Sequence, residues 1–183
     1  YSDGQYDKKV AVVLLRSENE NEPTIDVLDY GIGLSAEQFP KTILSLQSGN
    51  KLDKKYLLGA FGQGGSSTLA FSEYALIFSR SKQHPSKLAF TLIRVLSLGD
   101  DYKEDCFAYL AVKDDKGNVV VPSIEFNSDD LSIYLNLPSR IKLPKFNHVT
   151  LVRHYSYKLQ ETGTLSPQPG NLYHFLHFSM FDT

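Results

Sequence analysis

Tryptophan is absent from this chain of 183 residues, and cysteine and methionine each occur once. A lone Cys106 closes no internal disulfide, and no Cys/His spacing of the zinc-binding kind accompanies it. Charge of one sign is also missing in excess: 19 basic against 21 acidic residues leave a net −2, which offers no broad positive footprint for nucleic acid. No apolar run approaches the roughly 20 residues that a membrane-spanning helix needs. The opening Tyr1-Ser2-Asp3-Gly4 carries neither an initiator methionine nor a signal-peptide pattern, so the expectation is a piece of a longer cytoplasmic protein. What is plentiful is aromatic and aliphatic. Eleven Phe and 11 Tyr within a 42% hydrophobic composition suffice for one globular domain with a proper core. Internal repeats, low-complexity tracts and clear linkers are lacking.

The chain is organised around Thr24-Ile25-Asp26-Val27-Leu28-Asp29-Tyr30-Gly31-Ile32-Gly33-Leu34-Ser35-Ala36, which reads as strand, tight turn and helix start. Side chains alternate along a strand, so Ile25, Val27 and Asp29 share one face while Asp26 and Leu28 share the other. Asp29 therefore ends an apolar face. An unpaired carboxylate there is costly, and the glycines beyond it let the backbone turn sharply and approach something closely. These residue types describe a pocket that wants a hydrogen-bond donor.

A second glycine cluster, Gly59-Ala60-Phe61-Gly62-Gln63-Gly64-Gly65, runs into Ser66-Ser67-Thr68-Leu69-Ala70-Phe71, the expected first turns of a helix. Bare amides ahead of a helix N-terminus favour an anion, with phosphate the obvious candidate. Between the clusters, residues 47–58 are polar and bear Lys51, Lys54 and Lys55 against a single opposing Asp53. The plain reading of any one of these lysines is a solvated loop charge.

This order of acid, turn, lid and glycine loop resembles the GHKL (Bergerat-fold) ATPases. Asp29, Gly31 and Gly33 match the family's D-x-G-x-G motif, and Gly59, Gly62 and Gly64 match its G-x-x-G-x-G motif. In texture the chain is nearest the heat-shock chaperone, mismatch-repair and MORC-like branches. The resemblance implies an α+β, two-layer sandwich: a mixed, mostly antiparallel sheet with helices on one face, truncated at its N-terminus. It implies a single ATP/ADP-binding domain over 1–183, with a lid at about 35–58 and a C-terminal helix at about 171–181 leading to further domains. Asp29 would accept from the adenine amino group with support from Thr150, Gly33 would pass close to the base, and Gly59, Gly62, Gln63, Gly64, Gly65 and Ser66 would cradle the phosphates. Val149 stands where the family has a glycine before that threonine. The family's first motif, a helix bearing a glutamate base and an asparagine ligand for Mg²⁺, has no counterpart in Tyr1 to Lys9. No catalytic or metal-ligating residue is therefore assigned within the chain, and Mg²⁺ would be held from upstream. The expected role is a nucleotide-driven switch of conformation or of ATP-dependent homodimerisation, with little hydrolysis by these residues alone.

Strands are expected at Val10–Leu15, pairing with the Asp29 strand as a hairpin, at Tyr74–Arg80 and Lys87–Val95 around the turn 81–86, at Cys106–Val112 with 117–121, and at His148–Tyr155. Ser35 and Gln38 have capping-box spacing, and Pro40 splits the following helix before Lys41–Leu46. Asn171 caps the terminal helix.

Other motifs fit less well. Gly65 occupies the lysine position of a P-loop, which excludes that site. Gly31-Ile32-Gly33-Leu34-Ser35-Ala36 spells a dinucleotide turn, but no strand-borne acid follows about 20 residues on. His84, His148, His154, His174 and His177 lack metal spacing, Cys106 reads as a small core hydrophobe, and Arg80, Arg94 and Arg153 read as edge or surface charges. The alternatives are a non-catalytic interaction domain of the same fold and an enzyme using another nucleotide ligand.

Overall fold

The computed structural model describes residues 10–15, 22–29, 31–44, 69, 71–96, 106–127 and 149–158. Nine strands account for most of them: β1 Val10–Leu15, β2 Thr24–Asp29, β3 Tyr74–Arg80, β4 Lys87–Leu96, β5 Cys106–Tyr109, β6 Val112–Lys113, β7 Val119–Val120, β8 Ser123–Glu125 and β9 Val149–Tyr155. A seven-stranded sheet has the order β1-β2-β9-β3-β4-β5, with β8 also pairing with β4, and β6-β7 form a separate ribbon. All pairings are antiparallel.

This architecture corrects the expected α+β sandwich. The described residues are almost all antiparallel sheet and turns, with Leu69 alone in helical conformation, and none of them forms a layer of helices on a face. The reason is local at 35–44, where a short turn up to Pro40 and a helical piece from Lys41 were expected. Gln38 Oε1 accepts from the Ser35 amide at 2.8 Å, half of a capping box, while the Ser35 hydroxyl turns to Glu37 at 2.6 Å. Pro40 has no N–H to give the carbonyl of Ala36, and that carbonyl accepts from the Val121 amide at 3.3 Å instead. The amides of Lys41, Thr42 and Leu44 bond to Gln38, Phe39 and Phe39, so the segment is a chain of turns without i to i−4 bonds. The terminal helix at 171–181 lies outside the described residues.

The expected β1–β2 and β3–β4 hairpins are present, in the registers Val10↔Asp29 and Arg80↔Leu88. The expected Cys106–Val112 strand is divided: its first part pairs with β4 and its end with β7. The turn between β6 and β7 is set by Asp114, whose carboxylate accepts from the amides of Lys116 and Asn118 at 2.9 and 2.8 Å.

Alternation gives the sheet two apolar faces. Val13, Leu28, Phe78, Leu88, Phe126, Val149 and Leu151 pack on the first. The second carries Ile77, Ala89 and Ile93, and the 31–44 segment lies across it, with Ala36 and Phe39 in the same cluster as Val120 and Val121. Phe39 has no solvent exposure, and its burial holds the segment down by roughly 2–3 kcal/mol.

Two charges expected at edges or on the surface are inside. Arg80 is 4% exposed, donates to the carbonyls of Pro85 and Phe126, and stands over the Phe126 ring. Arg153 faces Asp26 across β2 and β9 on the first face. Its guanidinium is held in the charged form by the hydrogen bond to Asp26. Arg94 is exposed, as expected.

Candidate functional site

The antiparallel register carries one row of second-face side chains through Asp29, Thr150, Ser79 and Ala89 on four adjacent strands. Asp29 is the last residue of β2 and is exposed. Directly opposite it stands Thr150. Cross-strand neighbours of this kind hold their Cβ atoms about 5 Å apart. Asp29 and Thr150, implicated by separate motifs far apart in sequence, thus share one end of the sheet.

Asp29 Oδ1 accepts from the Gly31 amide at 2.8 Å, which folds the chain back at the end of β2. A Cβ at Gly31 would sit 3.1 Å from that same oxygen, so a side chain here would press on the carboxylate. Oδ2 takes no hydrogen bond from the described residues.

Gly33 performs a different task. Its φ of +67° is in the left-handed region, and a Cβ there would overlap the Arg80 carbonyl oxygen and lie 2.7 Å from the carbonyl carbon. The close approach that Gly33 permits is to the end of β3. It is fixed from both sides, by the Lys82 amide donating to Ile32 O at 2.7 Å and the Leu34 amide donating to Ser79 Oγ at 2.8 Å.

Ser79 was not singled out from the sequence. It is fully buried, donates to the Val149 carbonyl at 2.8 Å and lies 2.7 Å from Thr150 Oγ1. The available signal was a hydroxyl alternating with Ala75 and Ile77 on an apolar strand face, a group that needs partners when buried. Val149, in the place of the family's glycine, is 1% exposed and belongs to the first-face core.

Apolar surface flanks the carboxylate. Val10, opposite Asp29 on β1, is 61% exposed, and Ile32 is 48% exposed. Gly59, Gly62, Gln63, Gly64, Gly65 and Ser66 lie outside the described residues, as do Lys51, Lys54 and Lys55. Among the described residues no group of three His, Cys, Asp or Glu side chains is placed to hold a metal ion, and no helix is long and apolar enough to cross a membrane.

Two further polar spots lie away from Asp29. A cavity of about 80 Å³ is lined by residues 34–37 together with Ser81, His84 and Lys87. Hydrogen bonding from the Ser35 hydroxyl, with smaller help from the charges of His84 and Lys87, holds the Glu37 carboxyl below its ordinary range. Towards the other end of β9, His154 is buried with Nδ1 2.8 Å from Ser72 Oγ and its ring edge-on to Tyr157. Burial pushes the imidazole pKa down to about 4, so it is neutral at physiological pH.

The chain matches no protein-family model and no curated protein.

Proposed function

We propose that this chain is the cytoplasmic adenine-nucleotide-binding part of a larger protein, taking ATP or ADP with the base at the Asp29 end of the sheet. The observation that carries the reading is the register that sets Thr150 opposite Asp29, with one carboxylate oxygen taking no hydrogen bond from the described residues and exposed apolar side chains beside it. An anionic acceptor at the edge of an apolar patch suits an exocyclic amino group on a flat heterocycle. The order of glycine motifs, which resembles that of GHKL ATPases, supports the same reading and assigns the phosphates and their Mg²⁺ to the 59–66 loop and to residues upstream. The 31–44 segment starts at Gly31, whose amide donates to Asp29, and carries Ala36 and Phe39 into the second-face core, so it links the base site to that core. This is the basis for reading the domain as a nucleotide-driven switch, with homodimerisation as its output.

The test is calorimetric titration of ATP and ADP, with and without Mg²⁺, into the protein and into Asp29→Asn. A charged hydrogen bond to the base makes the substitution weaken binding at least about tenfold. Equal affinity in the two proteins removes Asp29 from the site.

A further inference from the structure

We infer that Ser79 is a positioning residue that fixes the Thr150 hydroxyl as a hydrogen-bond acceptor, so that Asp29 and Thr150 together select for an amino group on the ligand. The inference rests on the nucleotide reading of the Asp29 site and adds the source of its discrimination.

A serine hydroxyl has one proton and two lone pairs. Ser79 Oγ has three neighbours within hydrogen-bond distance: the Leu34 amide at 2.8 Å, the Val149 carbonyl at 2.8 Å and Thr150 Oγ1 at 2.7 Å. An amide only donates and a carbonyl only accepts. The single Ser79 proton therefore goes to Val149, and one lone pair receives the Leu34 N–H. What remains for Thr150 is the other lone pair, so Thr150 must donate to Ser79. Its own proton is then committed inward, and Thr150 Oγ1 turns only lone pairs towards its neighbour Asp29 and whatever binds there.

An ionised Asp29 is likewise acceptor-only. Among the described residues the end of the sheet thus presents two acceptors, Asp29 and Thr150, and no free hydroxyl proton. A 6-amino purine offers two N–H bonds to such a pair. A 6-oxo purine sets a carbonyl oxygen against it, which leaves polar groups unpaired and acceptors facing acceptors. Ser79 is fully buried and bonds both to the 31–34 turn and to two successive residues of β9, so it holds this polarity without touching the ligand.

The experiment compares ATP with inosine triphosphate, which differs at that ring position in carrying oxygen for the amino group. The intact protein is titrated with each, alongside Ser79→Ala, Thr150→Val, Thr150→Ser and Asp29→Asn, with thermal unfolding recorded for every variant. The intact protein is expected to prefer ATP by at least tenfold. Ser79→Ala frees the Thr150 proton to meet the inosine carbonyl, and Thr150→Val removes the second acceptor, so both narrow the ATP-to-inosine ratio several-fold. Thr150→Ser, which keeps the hydroxyl, restores it. A merely structural role would lower the unfolding temperature and weaken both nucleotides alike.

If ATP binding depends on Asp29 but neither Ser79→Ala nor Thr150→Val alters the ratio, the selection by Ser79 is wrong and the nucleotide site stands. If the intact protein binds neither nucleotide, or Asp29→Asn leaves ATP binding unchanged, the nucleotide reading falls and this inference falls with it.

Discussion

Arg153 grips Asp26 with two parallel bonds, Nε to Oδ1 and Nη2 to Oδ2, both 2.7 Å long, across the β2–β9 ladder. Asp26 has no solvent exposure and the arginine side chain has 12%. Two-pronged geometry offsets the desolvation of both charges, but only while both are present.

Arg153→Met is therefore expected to cost about 3–5 kcal/mol, because it strands a buried carboxylate. The double substitution Asp26→Leu with Arg153→Met is expected to recover most of that loss. Urea unfolding of the two variants measures both effects. A single-variant loss below about 1 kcal/mol, the worth of an exposed pair, would contradict the buried bidentate arrangement.

His154 is expected to make the fold sensitive to acid. Its folded pKa of about 4 is below the ordinary histidine value because burial disfavours the imidazolium. Between roughly pH 6.5 and 4 the unfolded chain takes up a proton that the folded chain refuses, so stability is full above that window and falls as pH drops through it. The histidine contribution amounts to about 3 kcal/mol by pH 4. His154→Gln is expected to flatten the pH dependence of urea unfolding over this range. An unchanged slope would assign the acid response to other groups.

Two glycines with positive φ are expected to respond differently to alanine. At Gly33 (φ +67°) the added Cβ meets the backbone of Arg80 and Ser81, whereas at Gly117 (φ +80°) nothing lies within 4 Å. Gly117→Ala costs only the left-handed conformation, about 1 kcal/mol. Gly33→Ala adds a clash that the β3 end cannot relieve without moving, and about 3 kcal/mol or more is expected. Equal melting temperatures for the two variants would contradict the clamp between the 31–34 turn and β3.

The strands were legible because their chemistry is local. Val10–Leu15 and Tyr74–Arg80 are apolar runs of strand length, and polar turns join their hairpins. The central place of β9, between β2 and β3, leaves no short-range mark in the sequence; only the family resemblance brought Thr150 to Asp29, and nothing pointed to the pairing of β9 with β3. β8 escaped notice because Ser123-Ile124-Glu125 is three residues long, too short a run for alternation to mark a strand. Ser35 and Gln38 did signal a capping bond, yet the helix it implies meets Pro40 and breaks into turns. Asp26 was placed on its correct face by alternation. That a charge on that face would be buried depended on Arg153, a residue on a distant strand that charge alone marked for the surface.

The most direct test of the nucleotide site follows the backbone amides of the ¹⁵N-labelled protein by NMR while ATP is added. Saturable shifts concentrated at Gly31, Gly33, Leu34 and Thr150, and abolished by Asp29→Asn, are expected. Shifts confined to the cavity lined by Ser35, Ser81 and Lys87, or no saturable shift at all, would contradict binding of the base at Asp29.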